Sequence, residues 1–433
     1  MAEAQVVVAV GVFGLAVLTC SPRRLSVALL FLGLVSLTWL EFRSFAGATL
    51  SDGFLVGAAI STFVTRTRLG GGPPIDLSPH RYILTYSALL IVGGVVGGLV
   101  YGGTMPGFLE AAQFAVAITL ITYLVAAHVT DVSSWERLVA WLVAGAAVSA
   151  VVAHWPSNRT GFVGRATGLG THPNHLALAM MLAAGFAAAL LGSERRPHRV
   201  LAWLALPIVV SALIWSGSRA GLAGFIVGSV VLAMLSRAKG VLVLGMTLLA
   251  TPLVLAVLWS GGFASSSSAV NRLLRPSVTE DVSNEGRWEY LREGLDLIEQ
   301  RPFFGAGFDQ ALRFHSVPFQ LVVVAGVAGL LALAALIAFG MQSVALARRS
   351  SSPWRVRVMA SSLVGLGAFW VVANALFDRY LLVSISLTAA CFGLERRSSS
   401  TSLRGSDQDD WKAAARGATL TVGHRSGGRR VNQ

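Results

Sequence analysis

The sequence predicts an all-α polytopic membrane protein, a bundle of about 12 or 13 transmembrane helices with one large extracytoplasmic loop. Of its 433 residues, 54% are hydrophobic and 13% are charged, and the mean hydropathy is +0.67. Apolar runs of roughly 20 residues, the length that crosses a bilayer, recur along most of the chain. One long polar interval, residues 261–315, interrupts them. This composition excludes a soluble globular protein.

The apolar runs define the predicted spans. The first run covers only residues 5–20, so the count is 13 if it crosses the membrane and 12 if it does not. Residues 398–433 are rich in Ser, Gly and Arg and are predicted to form a disordered tail. The predicted spans are 5–20, 24–40, 50–65, 82–102, 107–129, 135–155, 173–192, 199–215, 218–236, 240–260, 316–346, 356–376 and 378–394.

The net charge of +13 indicates membrane orientation rather than nucleic-acid binding. Most of the positive charge is arginine in short loops between alternate spans, which places those loops on the cytoplasmic side. The opposite loops are then extracytoplasmic. The predicted division is an N-terminal transmembrane bundle at 1–260, an extracytoplasmic loop with candidate catalytic residues at 261–315, C-terminal transmembrane helices at 316–397 and a cytoplasmic tail at 398–433.

Neither the cysteines nor the acidic residues indicate a metal site. Cys20 and Cys391 lie in or at the edge of apolar runs, so neither a disulfide framework nor a zinc site is predicted. The acidic residues on the outer side, Glu41 and Asp52 among them, are scattered in the sequence. A metal-dependent reaction is therefore not favoured, and no cofactor is predicted.

The extracytoplasmic loop is predicted to carry a short amphipathic helix. Ser283 or Asn284 is a suitable N-cap, and Pro302 marks the end. Arg287 is then expected in the first turn, although by itself it is more often a solvated surface arginine. The apolar residues that recur at helical spacing are Trp288, Leu291, Leu295 and Ile298.

Arg219 stands at the start of a predicted span, directly after Ser218. A charged residue at that depth is costly and is by default a candidate for function. A helix N-terminus adds partial positive charge and free N–H groups, which suit an anion such as a diphosphate. The alternative is an arginine that anchors the helix at the membrane interface.

Histidines mark two further positions on the outer side. In the run Gly164–His175, Arg165, His172 and Asn174 mark the entrance to a predicted span, and Asn174 is a candidate cap for that helix. His315 stands where the long polar segment re-enters the membrane. A partly desolvated, neutral imidazole there can accept a proton. The alternative for each histidine is a packed interfacial residue.

Four segments of the chain resemble the O-antigen ligase/polymerase family of bacterial membrane glycosyltransferases. They come in the family's order, with a large external loop before the histidine and three spans after it, and the resemblance covers roughly residues 85–395. One departure is Ser316, where family members commonly have Asn. The segments are RATGLGTHPNHLA (165–177), SGSRAGLAG (216–224), GRWEYLREGLDLIEQRPFFGAGF (286–308) and HSVPFQLVVVAGVAGLL (315–331).

The resemblance implies transfer of a glycan from a polyprenyl diphosphate, such as undecaprenyl diphosphate, to a hydroxyl of an acceptor glycan or lipid. The reaction would take place on the outer face of the bacterial plasma membrane, in cell-envelope biosynthesis. It would need no metal and would invert the anomeric configuration. By the same resemblance, Arg219 and Arg287 hold the diphosphate, His315 is the base, and Arg165, His172, Asn174 and Ser218 line the cavity.

Two other functions remain as alternatives. A flippase or exporter of lipid-linked glycans also uses arginines in a membrane cavity, but it favours a central charged pathway and two similar halves. A metal-dependent lipid-sugar glycosyltransferase would use Glu41 or Asp52. The resemblance does not distinguish a ligase from a polymerase, because both require the same donor chemistry and differ only in the acceptor.

Overall fold

A computed structural model describes most of the membrane-embedded part of the chain. Within the described residues the protein is helical and contains no β-strand. The predicted spans 5–20 and 240–260 and the tail beyond residue 398 lie outside this part. The described ranges are 21–39, 49–68, 74–155, 165–170, 172–236, 278–310, 314–349, 351–373 and 378–398.

The helices are numbered here in chain order over the described ranges. Three single 3₁₀ turns, Ser36–Thr38, Ser78–His80 and Phe308–Gln310, accompany them. The helices are α1 (Pro22–Val35), α2 (Leu50–Arg68), α3 (Arg81–Tyr101), α4 (Met105–His128), α5 (Val132–Val152), α6 (Pro173–Leu190), α7 (Arg196–Trp215), α8 (Arg219–Ser236), α9 (Val278–Gln300), α10 (Val317–Ala347), α11 (Trp354–Val372) and α12 (379–398).

The structure confirms the all-α polytopic membrane bundle. In the described part, eight helices are long and apolar enough to cross a membrane: α3 to α8, α10 and α11. The predicted spans 24–40, 50–65 and 378–394 are also helical, as α1, α2 and α12. The total of 12 or 13 and the division into domains stay predictions, because residues 1–20 and 237–277 lie outside the described part.

The bundle has two ends of different character. At the end that we call the basic end, α6, α11 and α12 are tied together: Trp354 Nε1 donates to the Ala188 carbonyl at 2.7 Å, and Arg355 lies 3.5 Å from the Glu395 carboxylate. The opposite end, called the upper end, carries the starts of α4, α6, α8 and α10. The loops that the charge pattern assigns to the cytoplasm are at the basic end.

Helix α6 lies at the centre of the bundle. In its apolar window, 83% of the residues are buried, against 22% for α8. Its sequence, PNHLALAMMLAAGFAAAL, is rich in alanine, and small side chains allow neighbouring helices to approach closely. The start of α6 is therefore held firmly at the upper end, where three predicted site residues lie.

Helix α9 begins earlier than predicted. It starts at Val278 rather than at Ser283 or Asn284, so Arg287 lies in the third turn instead of the first. Its end at Gln300 agrees with the stop expected at Pro302. The last turns rest on the bundle, because Leu297 and Ile298 pack against a small cluster around Phe314.

The segment after α9 enters a break in α10. The break is at Gly326, whose φ of +55° and ψ of −130° are not helical. Ala306 N–H donates to the Val323 carbonyl at 2.7 Å, and Gly307 N–H donates to the Val324 carbonyl at 3.1 Å. These bonds satisfy carbonyls that the interrupted helix leaves without an intrahelical donor.

Glycines on α3 make room for this segment. A Cβ at Gly97 would collide with the Phe304 carbonyl, and a Cβ at Gly94 would collide with the Phe308 ring. Asp309 fixes the end of the segment, because it accepts a hydrogen bond from the Thr104 N–H at 2.8 Å. The polar loop is thus anchored in the bundle directly before His315.

Candidate functional site

Arg165 links two helices at the upper end. Its Nε donates to the Ser216 carbonyl at 2.8 Å, and its Nη2 donates to Asn174 Oδ1 at 3.1 Å. The next residue, Ala166, donates its N–H to the Trp215 carbonyl at 3.2 Å. The half-buried arginine therefore connects the end of α7 with the first turn of α6.

The loop after Arg165 is built for close packing on α5. Leu169 N–H donates to Ser149 Oγ at 3.1 Å. Gly168 has a φ of +61°, and a Cβ there would lie 2.7 Å from the Ser149 carbonyl. Both the backbone conformation and the space require glycine at this position. The turn TGLG in the sequence thus fixes where Arg165 lies.

His172, rather than Asn174 as predicted, caps α6. Its Nδ1 accepts a hydrogen bond from the Asn174 N–H at 3.1 Å, while the Asn174 side chain faces Arg165. An imidazole can take over the usual capping role because its δ nitrogen is close to the backbone. Since Nδ1 accepts, the proton of the neutral ring is on Nε2.

The surroundings of His172 are partly buried and rich in basic groups. Burial above all, together with the neighbouring His175, Arg165 and His315, lowers its pKa to about 4. The ring centroids of His172 and His175 are 5.6 Å apart. His172 is therefore neutral at physiological pH. The structure brings together Arg165, His172 and Asn174 directly, and His315 lies within electrostatic range of His172.

The start of α8 presents Arg219. Ser218 is buried, and its Oγ accepts the Gly221 N–H at 3.3 Å, which makes it the N-cap of the helix. Ser218 N–H is in turn bound to Ser216 Oγ at 3.2 Å. Arg219 is half-buried and follows, by three residues, Ser216, whose carbonyl Arg165 binds. Ser218 thus supports the position of Arg219.

His315 is exposed, although partial desolvation was expected. The backbone on both sides is fixed by Gln320, whose Nε2 donates to the Phe314 carbonyl at 2.7 Å and whose N–H donates to the Ser316 carbonyl at 2.9 Å. Phe314 is 1% exposed. The imidazole is thus presented to a ligand from a rigid turn.

Two predicted residues are not placed by side-chain contacts. Arg287 belongs to α9, but its side chain lies outside the described part. Glu41 also lies outside it. Asp52, the other acid of the metal-dependent alternative, accepts from Thr49 N–H at 2.8 Å and from Arg379 Nε at 3.2 Å. In the described ranges no group of three His, Cys, Asp or Glu residues is arranged to hold a metal ion.

Gln320 and Ser149 are supporting residues that the sequence reasoning missed. Gln320 interrupts the apolar run VPFQLVVV and is fully buried, so a polar residue within a predicted span was an available signal. Ser149 gave no such signal, because serine is common in membrane helices and its partner is twenty residues away.

The fold and the upper end define a class, the polytopic α-helical membrane proteins with a basic site at one end of the bundle. Residues 201–334 match the family model described as O-antigen ligase. The match runs from α7 into α10 and includes Arg219, Arg287 and His315. The match covers under a third of the chain and agrees with the resemblance to the O-antigen ligase family drawn from the sequence. No curated protein matches the chain.

Proposed function

We propose that the protein transfers a glycan from a polyprenyl diphosphate carrier to a hydroxyl group of an acceptor glycan or lipid, with Arg219 and Arg287 as diphosphate ligands and His315 as the base. The observation that carries the proposal is the cluster at the upper end. There Arg165 and His315 both lie close enough to His172 to lower its pKa. The family match over residues 201–334 supports a membrane glycosyltransferase of the ligase type.

The diphosphate is the anion that this cluster suits. Arg219 is the first residue of α8, so its guanidinium adds to the partial positive charge and the free N–H groups of the helix N-terminus. Arginine binds phosphate oxygens with two parallel hydrogen bonds and remains charged at every relevant pH. Arg287 would approach from α9, on the outer side of the bundle.

His315 is a better base than His172. The pKa of His172 is about 4, and a base that weak has little driving force to accept a proton near neutral pH. Its Nδ1 is also occupied by the Asn174 N–H. His315, by contrast, is exposed, so an acceptor hydroxyl can reach it, and histidine is the side chain most often used as a general base.

The proposed step is a single displacement. The acceptor oxygen forms a bond to the anomeric carbon while the bond from that carbon to the diphosphate oxygen breaks. The proton of the acceptor hydroxyl moves to His315, and the diphosphate leaves with the bonding electrons, stabilised by the arginines. Attack opposite the leaving group inverts the anomeric configuration. No metal or nucleotide takes part, since the donor is already activated.

The reaction is proposed to occur on the outer face of the bacterial plasma membrane. The basic loops lie at the opposite end from the cluster, and such loops are cytoplasmic by the positive-inside rule. Labelling of single cysteines in intact cells tests this, with Cys20 and Cys391 replaced by alanine. Met105→Cys at the upper end should react with an impermeant thiol reagent, and Glu194→Cys at the basic end should not; both positions are exposed. Reaction at Glu194→Cys alone would reverse the orientation.

Transfer by the purified protein is the direct test of the function. Donor glycan on a polyprenyl diphosphate is mixed with candidate acceptors, with and without a metal chelator. We expect a glycosylated acceptor in both cases. Loss of product with the chelator would favour the metal-dependent alternative, and movement of the donor across vesicles without transfer would favour the flippase. The acceptor that reacts distinguishes the two activities. Transfer to another lipid-linked glycan indicates a polymerase, and transfer to a different lipid indicates a ligase.

A further inference from the structure

A small cavity lies beside the proposed site. It has a volume of about 10 Å³, room for about one water molecule. It is lined by the first turns of α6 and α12, the loop after Arg165, the 3₁₀ turn Ser36–Thr38 and the upper end of α5. Six of the ten residues that line it are of polar type, although most of the surface they expose to the cavity is apolar. The polar residues that line it are Thr38, Ser149, Thr167, His175, Asp378 and Tyr380.

Two residues of the wall carry a buried polar atom that has no hydrogen-bond partner within the described structure. These atoms are the hydroxyl of Tyr380 and Nδ1 of His175. The Tyr380 side chain is 2% exposed, so bulk water does not solvate it. A buried polar group without a partner is costly, and such groups in folded proteins usually bind water or a ligand.

The other polar groups of the wall are at least partly satisfied by the protein. Ser149 Oγ accepts the Leu169 N–H at 3.1 Å, and Asp378 Oδ1 accepts the Tyr380 N–H at 2.8 Å. Among the residues of the wall, Tyr380 and His175 are therefore the ones with a polar atom that lacks a hydrogen-bond partner in the described structure. A phenol O–H donates, and Nδ1 of a neutral imidazole accepts when the proton is on Nε2. Together they match a group that can both accept and donate one hydrogen bond, which is the property of a hydroxyl or a water molecule.

We infer that this cavity binds a hydroxyl oxygen next to the transfer site, either from the acceptor glycan or from a resident water. Binding of an acceptor hydroxyl rests on the proposed function, whereas binding of a resident water does not. His175 and Asp378 are half-buried, so the cavity is reached from the upper end. The His175 ring is 5.6 Å from that of His172, which puts the occupant beside the cluster that is proposed to hold the donor. Tyr380 and His175 are positioning residues for the acceptor in this account.

Tyr380→Phe is the decisive variant because it removes one hydroxyl and keeps the ring. If the acceptor supplies the occupant, KM for the acceptor rises about fivefold, the effect of one lost hydrogen bond, while KM for the donor is unchanged. If a resident water is the occupant, the melting temperature without substrates falls and neither KM changes. An empty cavity predicts a third result: removal of an unsatisfied hydroxyl leaves the melting temperature equal or higher, with both KM values unchanged. That result would overturn the inference.

Two controls separate the effect from general damage. Tyr86→Phe alters another buried tyrosine, which packs on Phe114 in α4, and should leave the acceptor KM unchanged. His175→Asn keeps a polar atom near the Nδ1 position and should resemble the wild type more closely than His175→Leu does. Equal results for these two variants would also count against the inference. If the wild-type protein transfers no glycan, the proposed function fails, but the melting temperature of Tyr380→Phe still reports on a bound water.

Discussion

The upper and basic ends of the bundle each hold a histidine cluster, and the two clusters have opposite electrostatics. At the basic end, His198 Nδ1 lies 3.4 Å from the Glu136 carboxylate, which also accepts a hydrogen bond from Ser193 Oγ at 2.7 Å. At the upper end, His172 is surrounded by His175, Arg165 and His315, and its pKa is lowered to about 4.

The difference indicates which cluster is structural and which is suited to a ligand. The Glu136 carboxylate lies next to His198, so the protein itself supplies an anionic partner in that cluster. Around His172 the neighbours are basic groups, of which Arg165 carries a permanent positive charge, and an incoming anion would be attracted to that charge. In the sequence the two stretches, SERRPHR and GRATGLGTHPNH, look alike as short polar runs between apolar spans.

The largest expected effect is that of His315→Ala. Loss of a general base typically lowers the rate about 10²–10⁴-fold, and donor binding should survive because the arginines remain. His198→Ala is the matched change at the basic end and should keep nearly full turnover. A His315→Ala variant that retained more than about a tenth of wild-type turnover, well short of the usual loss, would place the base elsewhere.

Arg219→Lys is expected to have the next largest effect. Lysine keeps the charge but loses the bidentate contact with phosphate, and one charged hydrogen bond is worth about tenfold to a hundredfold in rate. Arg195→Lys, on an exposed arginine of the basic end, should be neutral. Transfer rates at equal protein levels check this, and a neutral Arg219→Lys would show that Arg219 only anchors α8.

A smaller difference is expected within α9. Arg287→Ala should lower transfer by about tenfold through the loss of one diphosphate contact. Arg292, which is exposed one turn further along the helix, should tolerate alanine with a change below about twofold. Equal and small losses at both positions would remove Arg287 from the diphosphate site and leave α9 as a surface helix.

Hydropathy predicted the helices well because a bilayer requires long apolar segments with internal hydrogen bonds. Local signals were less reliable at helix starts. Ser283 and Asn284 are good caps, yet α9 starts at Val278. The break at Gly326 could not be read from the apolar run VVVAGVAGLL, because it depends on contacts with residues 302–307, which are distant in the sequence.

The candidate residues at the upper end were named from the sequence, but their arrangement was not. The capping role fell to His172 instead of Asn174 because Asn174 Oδ1 accepts from Arg165. The bond from Arg165 to the Ser216 carbonyl spans 51 residues, and neither residue type predicts the other. Long-range partners of this kind are set by helix packing, which no local pattern in a single sequence records.

The pH dependence of transfer tests most directly whether a neutral His315 accepts the proton. His172, with a pKa of about 4, is already unprotonated above pH 5.5 and adds no inflection there. If His315 is the base, the single-turnover rate of the wild type should rise with pH over the range in which histidine side chains generally titrate, about pH 5.5 to 7.5. In His315→Gln the residual rate should show no such rise. The same rising profile in His315→Gln would contradict the account, because another group would then be the base.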